Sequence, residues 1–462
     1  MVFSSIPFLV FFLPLCLICY TAVPARWKNA VLLVFSLVFY AWGEPVYILL
    51  MLFSCTLNWV LCRRMEKSRH RRALLAAAVT VNLVFLVFFK YANLLLGTFG
   101  ALTGVPVPAL SVALPVGISF YTFQAMSCVV DVYRGEIPAE KSLARFMTYI
   151  SMFPQLIAGP IVRYADVADA LGGNLRPDFS GGVLCFAQGL FKKVLLANSL
   201  GLLWDSVGAL GASASVASAW FGLCAYTLQI YFDFSGYSDM AIGMGLMLGY
   251  RFPENFNFPY ISRSVTEFWR RWHITLSSWF KSYVYIPLGG NRVSRGRNVV
   301  NLLIVWGLSG LWHGASWNFL LWGLYYGVLL ALEKFVYGKK LERCPVFFRR
   351  LYTMLIVVIG FGIFVFDDFS QLGAFFRILF FLSGNPAADG SFLYLLQSFG
   401  ILFAAGVLFS TPVCTAVGTR LNLSRAKPVY ETVRAAVYTV LFVLSIACLV
   451  SDTFNPFLYF RF

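Results

Sequence analysis

Charge is what this chain lacks. Only 12% of its 462 residues are Asp, Glu, Lys or Arg, and 60% are hydrophobic. Soluble domains carry roughly 25% charged residues, so an aqueous fold has no means of hiding this much apolar surface. That excludes a soluble protein and leaves an integral membrane one. Acidic residues are scarcer than basic ones, 20 against 36, and in a soluble protein the net charge of +16 would point to nucleic acid. Here the basic residues fall in short loops between apolar runs, where positive charge records membrane orientation and requires no nucleic-acid partner.

Other absences narrow the reading further. The ten cysteines are scattered, and the one close pair, Cys16-x-x-Cys19, lies in an apolar run with no His or carboxylate beside it. Packing explains that pair better than zinc or redox chemistry, and no disulfide framework is implied. Histidine is rare: three residues, His70, His273 and His313. We find no soluble domain, low-complexity tract or internal repeat, so the expected organisation is one membrane domain over 1–462, with N-terminal helices (1–110) and a motif-bearing core (111–462).

What is present is a series of apolar stretches near 5–22, 30–42, 46–62, 73–97, 110–130, 183–206, 215–249, 299–336, 351–366, 393–416 and 435–453. Each is long enough to cross or dip into a hydrocarbon core of about 30 Å. The expected fold is all-α, a polytopic bundle of roughly ten to twelve membrane helices. The first stretch has no basic residue before it and resembles an uncleaved span whose N-terminus faces outward. Alternating from there puts the dense basic cluster "RRMEKSRHRR" (63–72) in the cytoplasm, with His70 as a solvated loop residue, and the C-terminal "FNPFLYFRF" outside.

Two segments break this regularity. Residues 251–298 are too polar to span yet rich in aromatics. Ser264 and Glu267 have the spacing of a capping box that starts a helix near Val265. Phe268, Trp272, Leu276, Trp279 and Tyr283 then make an apolar stripe, and Arg270, His273, Ser277 and Lys281 a polar one. The spacing predicts one amphipathic helix lying against or into the cytoplasmic surface, with His273 on its wet or headgroup-facing side.

The run 299–336 is the opposite case. As one helix its 38 residues would reach about 57 Å, nearly twice the membrane thickness. Arginines precede it and Lys339 and Lys340 follow it, so both ends belong on the cytoplasmic side. A re-entrant break near "SGLWHGAS" satisfies both facts, with Gly310 and Gly314 as its flexible points. His313 then lies deep in the membrane, where an ionisable residue marks a reaction centre or pathway. The segment alone leaves two readings open: a general base, suited by an imidazole pKa of about 6.5, or a neutral ring satisfied by Asn318 or a backbone carbonyl.

Asp233 and Asp239, in "IYFDFSGYSDMAIGMG", are the other intramembrane charges. Six residues apart, they sit about 120° around a helix, too splayed for a shared metal. Each is expected to bond to a neighbouring helix, with a role in orienting His313 or His273 as the sharper alternative. "PVGISFYTFQAMSCVVDVYRG" (115–135) and "FPQLIAGPIVRY" (153–164) place Gly and Pro in apolar helices, a pattern tolerated only where protein or a cavity covers the backbone.

Together these segments, with "NFNFPYISRSVTEFWRRWHITLSSWFKSYVYIPLGGNR", "LSGLWHGASWNFLLWGLYYG" and the terminal "NPFLYFRF", resemble in order the membrane-bound O-acyltransferase superfamily. Within it they are most similar to the branch that O-acetylates bacterial polysaccharides of the alginate type. The resemblance implies broken and re-entrant helices around a funnel open to the cytoplasm, with His313 as the intramembrane catalytic histidine near its base. It implies His273 as the second functional position. It further implies transfer of acetyl groups from a cytoplasmic thioester, acetyl-CoA or a carrier, toward a cell-envelope or exported polysaccharide, with an extracytoplasmic SGNH-type partner, in the bacterial inner membrane. Arg270, Arg271 and Lys281 are candidates for the donor's phosphates, although topology explains such charges as well. D-alanyl transfer to teichoic acid is the nearest alternative. A polysaccharide or ion transporter is the alternative of another class, opposed by the lack of paired halves with matching interruptions.

Overall fold

Every regular element among the described residues is a helix, in keeping with a hydrocarbon environment where an open strand edge leaves backbone groups without partners. The computed structural model describes residues 2–424, 427–451, 457 and 458. The chain begins with α1 (Phe8–Ala22), α2 (Ala25–Gly43), α3 (Ile48–Lys67) and α4 (Arg71–Thr103), followed by α5 (Ile118–Arg134) and α6 (Leu143–Ser151). A long pair comes next, α7 (Phe179–Ser213) and α8 (Val216–Leu248), then two short helices, α9 (Val265–Arg271) and α10 (Ile274–Phe280). Helices α11 (Arg295–His313), α12 (Trp317–Glu342), α13 (Val346–Val365), α14 (Phe369–Leu379), α15 (Gly390–Phe409) and α16 (Lys427–Ser451) follow, and shorter helices such as Tyr164–Leu171 and Val413–Asn422 lie between these elements.

Seven described helices are long and apolar enough to cross a membrane, fewer than the ten to twelve expected. The stretches read as spans near 110–130, 215–249 and the start of 299–336 are helical, as α5, α8 and α11; the first two lie inside the bundle, and α11 buries one face and exposes Val300, Ile304 and Leu308 on the other. All three carry buried polar side chains, Gln124, Asp233, Ser238 and Asn301 among them. Around α5 and α8 the neighbouring helices supply the lipid-facing surface, so these two need less hydropathy of their own.

Most of the 33 residues of α8 are buried. Its closest neighbour is α7, which crosses it at two pairs of glycines. A Cβ on Gly182 would come within 2.6 Å of the Gly243 carbonyl oxygen, and one on Gly189 would overlap that of Gly236. In lipid, where apolar side chains gain little by leaving the solvent, such backbone contact is a main source of helix association. It also brings two lysines onto the acidic residues of α8. Lys193 pairs with Asp233 and Lys192 with Asp239, both at 2.6 Å. The expectation that each carboxylate bonds to a neighbouring helix is met, with a lysine as the partner in both cases. Asp233 also accepts from the Leu458 amide at 2.8 Å. Leu458 and the buried Phe457 thus belong to the bundle interior, while the rest of the terminal motif lies outside the described residues.

The long run 299–336 does fold back. Helix α11 ends at His313, residues 314–316 turn, and α12 returns antiparallel until Arg295 Nη2 meets the Phe335 carbonyl at 3.0 Å. Only one of the two expected hinge glycines is at the break. Gly314 is extended, and a Cβ there would run into the Phe319 ring. Gly310 is regular helix instead; it lies against Gly323 of α12, where any side chain would force the hairpin apart. Helix α11 rises about 27 Å at 1.5 Å per residue, so His313 is nearly a membrane thickness from Arg295.

The segment 251–298 differs from its expected form. The helix that starts at Ser264 does so as read: the hydroxyl accepts from Glu267 N at 3.0 Å, and the Glu267 carboxylate accepts from Arg263 N at 2.9 Å. It stops after seven residues at Arg271. His273 adopts a left-handed conformation with φ 44° and ψ 54°, and a separate helix begins at Ile274. The two short helices dip into the bundle, burying Phe268, Trp272, Leu276 and Trp279 against protein. The stripe that the spacing marks as apolar is the buried one, and other helices cover it.

Candidate active site

The turn at His273 and the turn at His313 meet. Their ring centroids are 6.4 Å apart, and both residues are buried, at 1% and 6% exposure. His273 is therefore not on a headgroup-facing surface, as its place in the polar stripe suggested; the left-handed backbone swings it off that stripe and inward.

Asn255 holds the first turn. Its Oδ1 lies 3.0 Å from His273 Nδ1 and also accepts from the Thr275 hydroxyl at 2.9 Å, and its backbone carbonyl accepts from Ile274 N at 3.0 Å. Its Nδ2 donates to Ser238 Oγ of α8 at 3.2 Å. Thr275 Oγ1 in turn accepts from Ile161 N at 3.0 Å, which ties "FPQLIAGPIVRY" to the histidine. Side chains and loop amides thus replace the bonds that a continuous helix would have made. Asn255 lies 18 residues before His273 in a non-helical segment, so the two share no element whose period would link them, and Asn255 has no signature in the sequence.

Aromatic rings hold the second turn. His313 packs against Trp312, Trp322 and Phe364 at 5.0–5.5 Å between centroids. Trp312 reaches back to Phe120 and Phe123 of α5, and Trp279 of α10 lies flat on Phe123 at 3.7 Å. The segments singled out in the sequence as odd therefore converge on one place. Asn318, expected beside the imidazole, donates to the Phe366 carbonyl instead.

Cavities approach the histidines from different sides. One of about 190 Å³ is lined by Arg270, Lys281, Leu276, Ser277 and Ser309, so it comes within a helical turn of both His273 and His313. Of the three basic candidates, Arg270 and Lys281 face this cavity, whereas Arg271 is turned away, bonded to Glu267 at 3.0 Å and to the Asn257 carbonyl at 3.1 Å. A second cavity of about 120 Å³ is lined by His313 itself, Trp312, Lys90 and residues Pro115–Ser119. The Gly-Pro interruption near 115 does line a cavity, and Gly117, at φ 77°, leaves room only for the Leu156 carbonyl oxygen. A void of about 20 Å³ separates His313 from Asp233 and Leu458. Lys90 was not among the candidates. The signal was there: it is the one charged residue between Arg72 and Asp131.

Two buried histidines thus face each other between cavities inside a helical membrane bundle. The family model of the membrane-bound O-acyltransferases (MBOAT) matches residues 80–376, and the chain belongs to that family: it is a multi-pass membrane O-acyltransferase, which sets aside the transporter reading. It is 37% identical to a probable alginate O-acetylase AlgI of Azotobacter vinelandii, with all of both chains covered. It is 35% identical to a peptidoglycan O-acetyltransferase of Helicobacter pylori over 72% of this chain and 70% of that one. With a teichoic acid D-alanyltransferase of Bacillus subtilis the identity is 28%, over 53% and 65%.

Proposed function

We propose that this protein moves acetyl groups from a cytoplasmic thioester, acetyl-CoA, toward a cell-envelope or exported polysaccharide, with His313 as the general base. The observation that carries this reading is the pair of buried histidines 6.4 Å apart at the meeting of the family's motifs. The full-length likeness to alginate O-acetylases favours acetyl over D-alanyl transfer, where the likeness covers about half the chain.

In the proposed reaction the acceptor hydroxyl gives its proton to His313 as its oxygen attacks the thioester carbonyl carbon. The C–S bond then breaks, and the departing thiolate takes the proton from the imidazolium. General base catalysis of this kind contributes about 10²–10⁴ in rate. His273, held by Asn255, orients the donor or passes the proton. Arg270 and Lys281 attract the phosphates of the donor at the mouth of the 190 Å³ cavity.

Sidedness follows from charge. Arg71 bonds to the Val132 carbonyl, Arg134 to that of Ser282, and Lys334 to Asn298, so these basic residues share one face of the bundle. By the positive-inside rule that face is cytoplasmic in a bacterial inner membrane, with both termini outside. His313 then sits near the outer side, where an extracytoplasmic SGNH-type partner would receive the acetyl group and deliver it to the polymer.

The test is acetyl transfer by the purified protein in lipid nanodiscs, together with acetylation of the polysaccharide in cells. His313→Ala should lower both by at least about 10³-fold with normal insertion, and His273→Ala by about 10–10². Unchanged polysaccharide acetylation in a normally inserted His313→Ala variant would overturn the proposal. D-alanine in place of acetyl on the polymer would select the alternative.

A further inference from the structure

Lys90 is buried, with 8% exposure, in the middle of the apolar helix α4. It lies within a π-helical turn, Val87–Tyr91, of the kind often found at functional sites. Its Nζ donates to the Trp312 carbonyl at 2.5 Å and lies 3.4 Å from both the His313 carbonyl and the Ser119 hydroxyl. The next residue, Tyr91, donates to the Leu311 carbonyl at 2.5 Å. Three successive carbonyls at the end of α11 are thus engaged from another helix.

Those carbonyls need partners. The last four C=O groups of a helix have none within it, and α11 ends inside the bundle at an extended glycine, without the left-handed cap that usually supplies amide donors. An amine suits the place because it carries up to three donors and meets the negative end of the helix dipole. An apolar residue of similar length would fill the volume and leave the carbonyls bare. Among the described residues no carboxylate pairs with Lys90; apart from these bonds, it lies 6.0 Å from the centre of the Trp312 ring.

We propose that Lys90 is a positioning residue of the acyl-transfer site: by clamping the Trp312 and His313 carbonyls it holds the imidazole at the wall of the 120 Å³ cavity that both residues line. The inference rests on His313 acting as the base, and it extends the site to a helix from the N-terminal third of the chain. A residue with that role controls the rate of the chemical step and leaves donor binding, which occurs on the Arg270 and Lys281 side, nearly as it was.

Lys90→Met, Lys90→Gln and Lys90→Arg in the full chain, in nanodiscs with acetyl-CoA as donor, test it. Lys90→Met should lower kcat by about 10² while KM for acetyl-CoA stays within about twofold, since displacement of a reacting group by about 1 Å costs that much. Lys90→Gln and Lys90→Arg, which keep a donor for the carbonyls, should recover about tenfold of the loss. The effect should vanish in a His313→Ala background, because residues acting as a unit are not additive. Hydrogen exchange gives a measurement that needs no turnover. The 311–318 peptide should exchange at least about tenfold faster in Lys90→Met, with the rest of the chain unchanged.

Wild-type kcat in a stably inserted Lys90→Met, a loss that adds to that of His313→Ala, or a rise in KM alone overturns the proposal. If Lys90→Met does not insert, wild-type kcat in both Lys90→Gln and Lys90→Arg, with unchanged exchange in Lys90→Gln, overturns it equally, because each is expected to stay about tenfold below wild type. Full activity in His313→Ala instead removes the catalytic reading, while local exchange still reports whether Lys90 holds the turn.

Discussion

Two breaks in helical structure put the two histidines together, and they were not equally visible. The break at His313 is demanded by length: a largely apolar run of 38 residues with basic groups at both ends is too long for one span and must turn back within the membrane. The break at His273 has no such cause. Residues 265–283 have a sound helical period, yet the chain leaves it at a left-handed residue that Asn255 supports from outside. Length and charge constrain where a chain must turn; periodicity says which face is apolar, and is silent on whether lipid or protein covers it.

Substitutions that act on one break and spare the other sharpen the contrast. The largest effect is expected at Gly314. Gly314→Ala places a methyl on the Phe319 ring, and overpacking of this kind costs about 1–3 kcal/mol. Acetyl transfer should fall by about 10² if the hairpin relaxes by moving His313; a thermal unfolding scan beside the activity assay separates the two losses. Asn255→Ala comes next. It removes a cluster of buried bonds around the His273 turn, each worth about 1 kcal/mol net, so Tm should drop and transfer fall by about tenfold, with the 311–318 segment unaltered in hydrogen exchange. The smallest effects belong to the surface charges. Arg270→Ala and Lys281→Ala should each raise KM for acetyl-CoA by about 3–10-fold, less so at high salt. Arg271→Ala, which loses a partly exposed pair with Glu267 and a bond to the Asn257 carbonyl, both away from the cavity, should change KM by less than about twofold. Equal effects of all three would show that the donor does not enter by the cavity that Arg270 and Lys281 line.

Much of the bundle was legible beforehand. Composition gave the membrane, run length the hairpin, the Ser264 and Glu267 spacing the start of α9, and the angle between Asp233 and Asp239 their separate partners. What was not legible depends on contacts between distant residues. Gly310 and Gly314 look alike in "SGLWHGAS", but only the surroundings, Gly323 for one and Phe319 for the other, make the first a packing site and the second the break. Arg270 and Arg271 are adjacent and chemically the same, and the fold turns one to a cavity and the other to Glu267. Lys90 was visible as a lone charge, but nothing local ties it to a carbonyl 222 residues away.

The crossing of α7 and α8 sets a rule about length. Gly182 and Gly189 are seven residues apart, as are Gly236 and Gly243, and the lysines and carboxylates are timed to the same contact. Inserting one residue between Gly189 and Lys192, or between Asp233 and Gly236, turns everything beyond it by about 100°, which parts at least one lysine from its acid while the glycines still touch. Helices of this pair should therefore tolerate changes of side chain on their outer faces far more readily than changes of length, and variation in length among natural relatives should collect at their outer ends and in the short link near Ser215.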